Sequence, residues 1–237
     1  MEFLFPEYNK LYREYLIIAY KNKDCSKVIP FLEAKIEKDT NNPILYNMLA
    51  NAYDAVLNDD SNAIKYAKKA YEIDSTNYAE AYLVQLVEGK KFKEAKILLQ
   101  SKNFKSVVSE PQQLWGLWYY YYHQENYKKA LEVAKDSLIA IKYITRVITY
   151  AQLGDRKKVD ILNKKILSFR YNSTTTRAFV YAILKDRDSM YYYLENGNHD
   201  FKMNFPNSRR EFDPYRKEER FKELLKKNYL PLTHWNE

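Results

Sequence analysis

Residues 43–53 read PILYNMLANAY, and residues 63–70 read AIKYAKKA. The first stretch places large side chains at Tyr46, Leu49 and Tyr53, which is the spacing of one face of a helix. The second stretch repeats alanine at intervals of four and three residues, so one side of that helix carries only small side chains. Small side chains let two helices approach closely. The two stretches therefore predict an antiparallel helical hairpin.

The same hairpin recurs along the chain. Aligning on the large residue that ends the first helix of each hairpin, here called the frame residue, gives successive spacings of 33, 33, 35, 29 and 31 residues. A period in this range is typical of a solenoid, in which each unit contacts its neighbours and the array offers one long curved surface. The six frame residues are Tyr20, Tyr53, Leu86, Tyr121, Tyr150 and Tyr181.

The pattern resembles the tetratricopeptide repeat. Its first helix, helix A, has a large residue, a leucine, a small residue and a tyrosine in order, and its second, helix B, has small residues in register. Ser75 stands where the family has a proline after helix B. The resemblance covers residues 7–197. It implies an all-α, right-handed superhelical solenoid of about six antiparallel hairpins, whose A helices line a concave groove that binds a protein or peptide.

Short polar residues mark the start of helix B in five of the six hairpins. Such side chains accept hydrogen bonds from the free backbone N–H groups of the first turn. In the hairpin of Leu86 we expect a turn at Gly89 and a helix led by Lys90 or Lys91 instead. The five predicted start residues are Asp24, Asp60, Asn126, Asp155 and Asp186.

The repeat stops at Gly197, and residues 198–237 have a different pattern. Phe221, Leu224 and Leu225 follow the spacing of one helical face, so we expect a loop and then an amphipathic helix that closes the open end of the last hairpin. The segment resembles one that often ends tetratricopeptide regions in bacterial regulatory proteins. We therefore expect one domain over residues 1–237, with hairpins at 7–197.

Composition agrees with a helical protein in a reducing compartment. The 237 residues include only four glycines and seven prolines, which suits helices joined by short loops. Cys25 is the single cysteine, so no internal disulfide can form. The first residues lack a secretory signal pattern, and no run of 18 apolar residues occurs. These features predict a cytoplasmic protein without a membrane span.

The sequence contains none of the residue patterns that carry common catalytic chemistry. The three histidines have no metal-ligand spacing, and no glycine-rich phosphate loop or Gly-x-Ser-x-Gly sequence occurs. Cys25 lies between Lys23 and Lys27, which would favour a thiolate, but we favour an inert, partly exposed thiol. We expect no enzyme, no cofactor and no metal site.

The strongest candidate for binding is the inner face of the A helices. We define the groove positions as the residues six and two before, and one or two after, each frame residue. They grade from polar to aromatic along the chain, and Glu80 begins the third hairpin's set. The candidate ligand-binding residues are Asn47, Asn51, Asp54, Trp115, Tyr119, Tyr122, His123, Ile144, Ile148 and Phe179.

The aromatic patch allows two interpretations. Tyr119 to Tyr122 are four successive tyrosines, which must point around the whole helix, so some rings face outward and can anchor a peptide. Alternatively, the rings pack under the next repeat or under the C-terminal segment. Some tetratricopeptide domains clamp a terminal carboxylate; Asn51 matches a clamp asparagine, but Asn47 stands where the clamp has lysine, so we do not expect that ligand.

The basic C-terminal segment supports an alternative, a nucleic-acid-associated regulator. Residues 202–227 contain nine Lys or Arg and five Asp or Glu. Clustered cations can contact phosphates, although interleaved acidic residues are more typical of a solvated face. The cations in question are Arg209, Arg210, Arg216, Lys217, Arg220, Lys226 and Lys227.

Overall fold

A computed structural model describes residues 6–135, 139–166, 174–197 and 203–232, and within these ranges it contains helices and no strands. Two short 3₁₀ helices, Cys25–Lys27 and Arg210–Tyr215, accompany the α-helices. The α-helices are α1 (Pro6–Asn22), α2 (Val28–Lys38), α3 (Pro43–Leu57), α4 (Asp60–Ile73), α5 (Ser75–Glu88), α6 (Phe92–Gln100), α7 (Lys102–Val107), α8 (Glu110–His123), α9 (Tyr127–Ala134), α10 (Ile139–Gln152), α11 (Arg156–Ile166), α12 (Thr174–Ile183), α13 (Arg187–Glu195), α14 (Asn204–Ser208) and α15 (Glu219–Lys227).

The helices pack in neighbouring pairs within two compact units. Unit 1 consists of Met1–Asp74 with Asp200–Glu237, and unit 2 is Ser75–His199. Unit 1 contains the hairpins α1/α2 and α3/α4, and unit 2 contains α5/α6, α8/α9, α10/α11 and α12/α13. All six predicted hairpins are therefore present. A continuous solenoid through both units stays a prediction.

The turn inside every hairpin has the same geometry. Each helix A is followed by one residue in the left-handed conformation, with φ between 51° and 70°. The next residue donates its N–H to a carbonyl five residues earlier, or six residues earlier after α3, which satisfies the end of helix A. The same backbone turn therefore recurs in all six hairpins. The six left-handed residues are Lys23, Asn58, Lys90, Glu125, Gly154 and Lys185.

Three of the five predicted helix-start residues are confirmed directly before helix B, and Asp24 caps the 3₁₀ helix that leads into α2. Asp24, Asn126, Asp155 and Asp186 each accept a hydrogen bond from a backbone N–H two or three residues later. The prediction for Asp60 is wrong by one residue. Its neighbour Asp59 accepts from the N–H of Asn62 at 3.0 Å, and Asp60 is already the first residue of α4. Lys91 precedes α6 without a capping side chain, as predicted.

The first hairpin departs from the predicted frame. The N–H of Asp24 bonds to the carbonyl of Ala19, the position that frame residues occupy in the later hairpins, while the side chain of Tyr20 is exposed. The frame of this hairpin therefore begins one residue earlier than predicted.

Small side chains form the contacts between paired helices. Ala63, Ala67 and Ala70 of α4 are buried, and so are Ala130 and Ala134 of α9. Burial of methyl groups in this register lets the helix backbones approach closely, which confirms the predicted role of these alanines.

The C-terminal segment belongs to unit 1, whereas the sequence predicted that it would cover the last hairpin. Its described part spans residues 203–232; residues 198–202 and 233–237 of the predicted segment lie outside the described residues. The side-chain amide of Asn207 donates to the carbonyl of Ala55 at 2.9 Å, and the N–H of Cys25 donates to the carbonyl of Tyr229 at 2.9 Å. The segment therefore contacts the turns of both hairpins in unit 1.

The predicted amphipathic helix exists as α15. Phe221, Leu224 and Leu225 are buried, as the spacing predicted, and Phe221 packs against the buried Phe212 with ring centroids 6.3 Å apart. These apolar side chains complete the core of unit 1. The amphipathic pattern thus located the helix and its buried face correctly but not the surface that the helix covers.

Cys25 is buried in the contact between the first hairpin and the C-terminal segment. Its thiol donates to the carbonyl of Asn228 at 3.4 Å. Burial, and after it the charge of Asp24, raises the pKa of Cys25 from 9.0 to about 12. The predicted partial exposure is therefore wrong, whereas the raised pKa keeps the thiol protonated near neutral pH, in agreement with the inert thiol that we favoured.

The Cys25 thiol is expected to be unreactive towards an aromatic disulfide reagent at pH 8 in the folded protein and to react fully in guanidinium chloride. Because folding raises the pKa of the thiol, the folded state holds its proton more tightly than the unfolded state does. Unfolding free energy should therefore fall as the pH rises from about 9 towards 12. Rapid reaction of the folded protein at pH 8 would contradict the buried position.

Candidate functional site

The A helices of unit 2 lie side by side in chain order. Helix α5 contacts α8, α8 contacts α10, and α10 contacts α12. Side chains join neighbouring A helices at intervals equal to the repeat period: Gln112 donates to Glu80 at 2.9 Å, and Gln152 donates to the hydroxyl of Tyr122 at 2.9 Å. These pairs are 32 and 30 residues apart. These pairs join α5 to α8 and α8 to α10 along the A-helix face.

Three rings of α8 form a row along this face, here called the aromatic row. The ring centroid of Tyr119 lies 4.9 Å from that of Trp115 and 4.3 Å from that of His123. The hydroxyl of Tyr119 donates to the carboxylate of Glu88 on α5. Because Tyr119 is buried and hydrogen-bonded, it fixes the position of the more exposed Trp115.

A second set of rings on α8 is structural. The indole Nε1 of Trp118 donates to the hydroxyl of Thr149 at 3.0 Å, and the ring of Trp118 stacks on Tyr122 with centroids 5.2 Å apart. Trp118, Tyr122 and Thr149 are all buried. The structure thus divides the aromatic patch between the two interpretations: most of its rings pack under neighbouring helices, and Trp115 remains partly accessible.

The ten predicted binding residues differ in exposure. Asn51 is exposed, and Asn47, Trp115, His123 and Ile144 are half-buried, so these five keep accessible surface. The prediction of exposed side chains is wrong for the other five, because neighbouring helices or the C-terminal segment cover them. The buried five are Asp54, Tyr119, Tyr122, Ile148 and Phe179.

The ten residues also fall into different units. Asn47, Asn51 and Asp54 are on α3 in unit 1, and the remaining seven are in unit 2. The C-terminal segment contacts the end of α3 through Asn207, and the negative charge of Asp54 acts on Arg209 of that segment. Burial lowers the pKa of Arg209, and Asp54 opposes this effect. Asp54 therefore contributes to packing within unit 1.

Charge at the groove positions of unit 2 is confined to α5. Among the groove positions of α5, α8, α10 and α12, only Glu80 and Glu88 are charged if His123 is neutral. Burial raises the pKa of Glu80, and the hydrogen bond from Gln112 partly opposes this. The sequence identified Glu80 as a groove residue but did not predict that Gln112 donates to Glu80 or that Tyr119 donates to Glu88, because each contact joins residues about one repeat apart.

Fewer cations of the C-terminal segment are available at the surface than the sequence predicted. Arg216 is buried, with Nη2 donating to the carbonyl of Asn207 at 2.8 Å and Nε to Asp213 at 2.7 Å. Arg210 lies 3.8 Å from the carboxylate of Asp60. Arg216 is therefore unavailable for phosphate contacts, whereas Arg210 keeps an exposed side chain, so only part of the support for nucleic-acid binding is removed.

Unit 2 also contains a cavity that the sequence did not predict. Its volume is about 320 Å³, near the lower limit for small-molecule sites. The rings of Tyr181 and Tyr193 stack with centroids 5.6 Å apart, and Arg177 donates to the hydroxyl of Tyr193 at 3.1 Å. The cavity combines both charge signs with these two rings. It is lined by Asp160, Asn163, Lys164, Arg177, Tyr181 and Tyr193.

Neither a metal cluster nor a membrane span occurs in the part of the chain that the structure describes. No three His, Cys, Asp or Glu side chains there are grouped so that they could hold a metal ion. No helix among the described ranges is long and apolar enough to cross a bilayer. Comparison with protein-family models gives no match for this sequence, and comparison with curated proteins gives none either.

Proposed function

We propose that this protein is a non-catalytic scaffold that binds a protein or peptide on the A-helix face of unit 2, in the manner of a tetratricopeptide-like groove. The aromatic row carries the proposal. Trp115 keeps accessible surface while stacking on the buried Tyr119. A large ring whose position is already fixed loses little conformational freedom when a partner covers it, which is why such residues dominate interface energetics.

Replacement of Trp115 by alanine should weaken partner capture by about thirtyfold or more, because an anchoring ring at an interface commonly contributes at least 2 kcal/mol. Helicity and the melting temperature should change little, since this ring is only half-buried. The measurement is a pull-down from the native cell followed by titration of the captured partner. Tyr192→Ala is the matched control, because Tyr192 is an aromatic residue of α13 that is 58% exposed and lies off the groove positions.

Equal capture by the wild type and the Trp115→Ala variant would contradict the proposed face. A large loss of stability in this variant would show instead that the ring is structural. Salt titration distinguishes the proposed scaffold from the alternative, a nucleic-acid-associated regulator. Phosphate binding weakens steeply with added salt through counterion release, whereas capture by the aromatic row should change much less.

A further inference from the structure

Charge is segregated between the A and B helices in the first half of unit 2. Helices α5 and α8 together contain three glutamates and no Lys or Arg. The helices that follow α5 and α8 along the chain and contact them, α6, α7 and α9, contain six lysines and two glutamates. In a chain of net charge +8, the A-helix face of α5 and α8 is therefore locally acidic.

Two of these glutamates flank the aromatic row. Glu80 and Glu88 are eight residues apart on α5, or about 12 Å along the helix. Glu80 bonds to Gln112 and Glu88 bonds to Tyr119, so Trp115 lies along α8 between the two residues that contact these carboxylates. An accessible indole thus sits within a face whose charged groove positions are all negative.

We infer that this face binds an extended peptide segment through a Lys or Arg side chain of the peptide. That side chain lies over Trp115 and pairs with Glu80, and its neighbour in the peptide is a bulky apolar residue. This inference rests on the proposed function and names its partner class. A cation is attracted to the face of an indole, and the attraction is strongest where water is partly excluded. Complementary charge also orients the partner on the groove.

The state of Glu80 favours a cationic ligand over a neutral one. Its carboxylate is half-buried, and the hydrogen bond that it accepts comes from the neutral amide of Gln112. A partly desolvated carboxylate gains more from a positive partner than an exposed one does. Glu88 is buried and accepts the hydrogen bond from Tyr119, so Glu80 is the carboxylate that can contact a ligand.

The test is selection of binders from a random octapeptide library on the full-length protein. Peptides that bind the wild type should be enriched in Lys and Arg by about twofold or more over the library, with a bulky apolar neighbour. The enrichment should disappear for Glu80→Gln and persist for Glu110→Gln. Glu110 is the exposed first residue of α8 and lies off the groove positions, so it controls for the loss of one negative charge.

Titration of the best peptide then separates the contribution of the arginine's charge to binding from that of its shape. Replacing its arginine by citrulline keeps the shape and removes the charge, so binding to the wild type should weaken about tenfold, with a smaller effect on Glu80→Gln. Peptides that bind through Trp115 without basic enrichment would overturn this inference and leave the proposed function standing. Failure of the wild type to retain any peptide would overturn both. Circular dichroism of each variant confirms that it is folded.

Discussion

Replacement of Trp118 by alanine is expected to lower the unfolding free energy by about 3–5 kcal/mol, the usual range for removing a buried tryptophan. Trp118 is only 3% exposed, stacks on Tyr122 and donates to Thr149. Its removal leaves a cavity between α8 and α10 and deprives a buried hydroxyl of its donor. Denaturant unfolding followed by circular dichroism measures the loss.

Trp115→Ala is the matched control for this experiment. Both tryptophans are on α8, three residues apart, but Trp115 is half-buried and belongs to the aromatic row. We expect its removal to cost about 1 kcal/mol or less. Equal stability losses for the two variants would show that the division between a structural ring and a binding ring is wrong.

Replacement of Arg216 by alanine is expected to release the C-terminal segment from unit 1. The guanidinium group is buried and donates to the carbonyls of Pro206, Asn207 and Arg209, which lie along the start of the segment. Burial lowers the pKa of Arg216 to about 10, and the hydrogen bond and charge of Asp213 oppose this. Removing the guanidinium group leaves these carbonyls without their donor, and each buried acceptor left unsatisfied costs about 1–3 kcal/mol.

The reactivity of Cys25 reports this release directly. The C-terminal segment covers the thiol through Asn228 and Tyr229, so its detachment should make Cys25 react with the aromatic disulfide reagent under native conditions. The Arg216→Lys variant should also fail to hold the segment in place, and its Cys25 thiol should react. The reason is that an ammonium group cannot reproduce the planar donors of arginine. Lys217→Ala, at the exposed neighbouring position, should leave the thiol protected. An unreactive thiol in Arg216→Ala would contradict the role of Arg216.

Local patterns predicted the hairpins well because short-range contacts determine them. Alanines at intervals of three and four residues on α4 indicate a close helix contact wherever they occur, and Asn126 or Asp186 begins a helix through hydrogen bonds to its own next turn. The error at Asp60 has a local cause as well. Asp59 and Asp60 are chemically equivalent as caps, and the sequence does not indicate which of them precedes the helix.

The candidate site was predictable only in outline. Helical spacing places Trp115 and Tyr119 on one face of α8, and this much follows from the sequence alone. Their different exposure depends on α5, where Glu88 binds the hydroxyl of Tyr119 from 31 residues away. Tyr122 is likewise buried against its neighbours, so its exposure was predicted incorrectly. No pattern within one helix reports what the adjacent helix contributes.

The sequence by itself determined a helical protein with six hairpins, their period and the small side chains that join them, because each of these features depends on residues within one turn or one repeat. Only the tertiary structure decided where the C-terminal segment packs and which groove residues remain accessible. Asn207 contacts Ala55 across 152 residues, and Cys25 contacts Asn228 across 203. Contacts at such separations depend on the complementary shapes of folded surfaces, which leave no periodic signal in the chain.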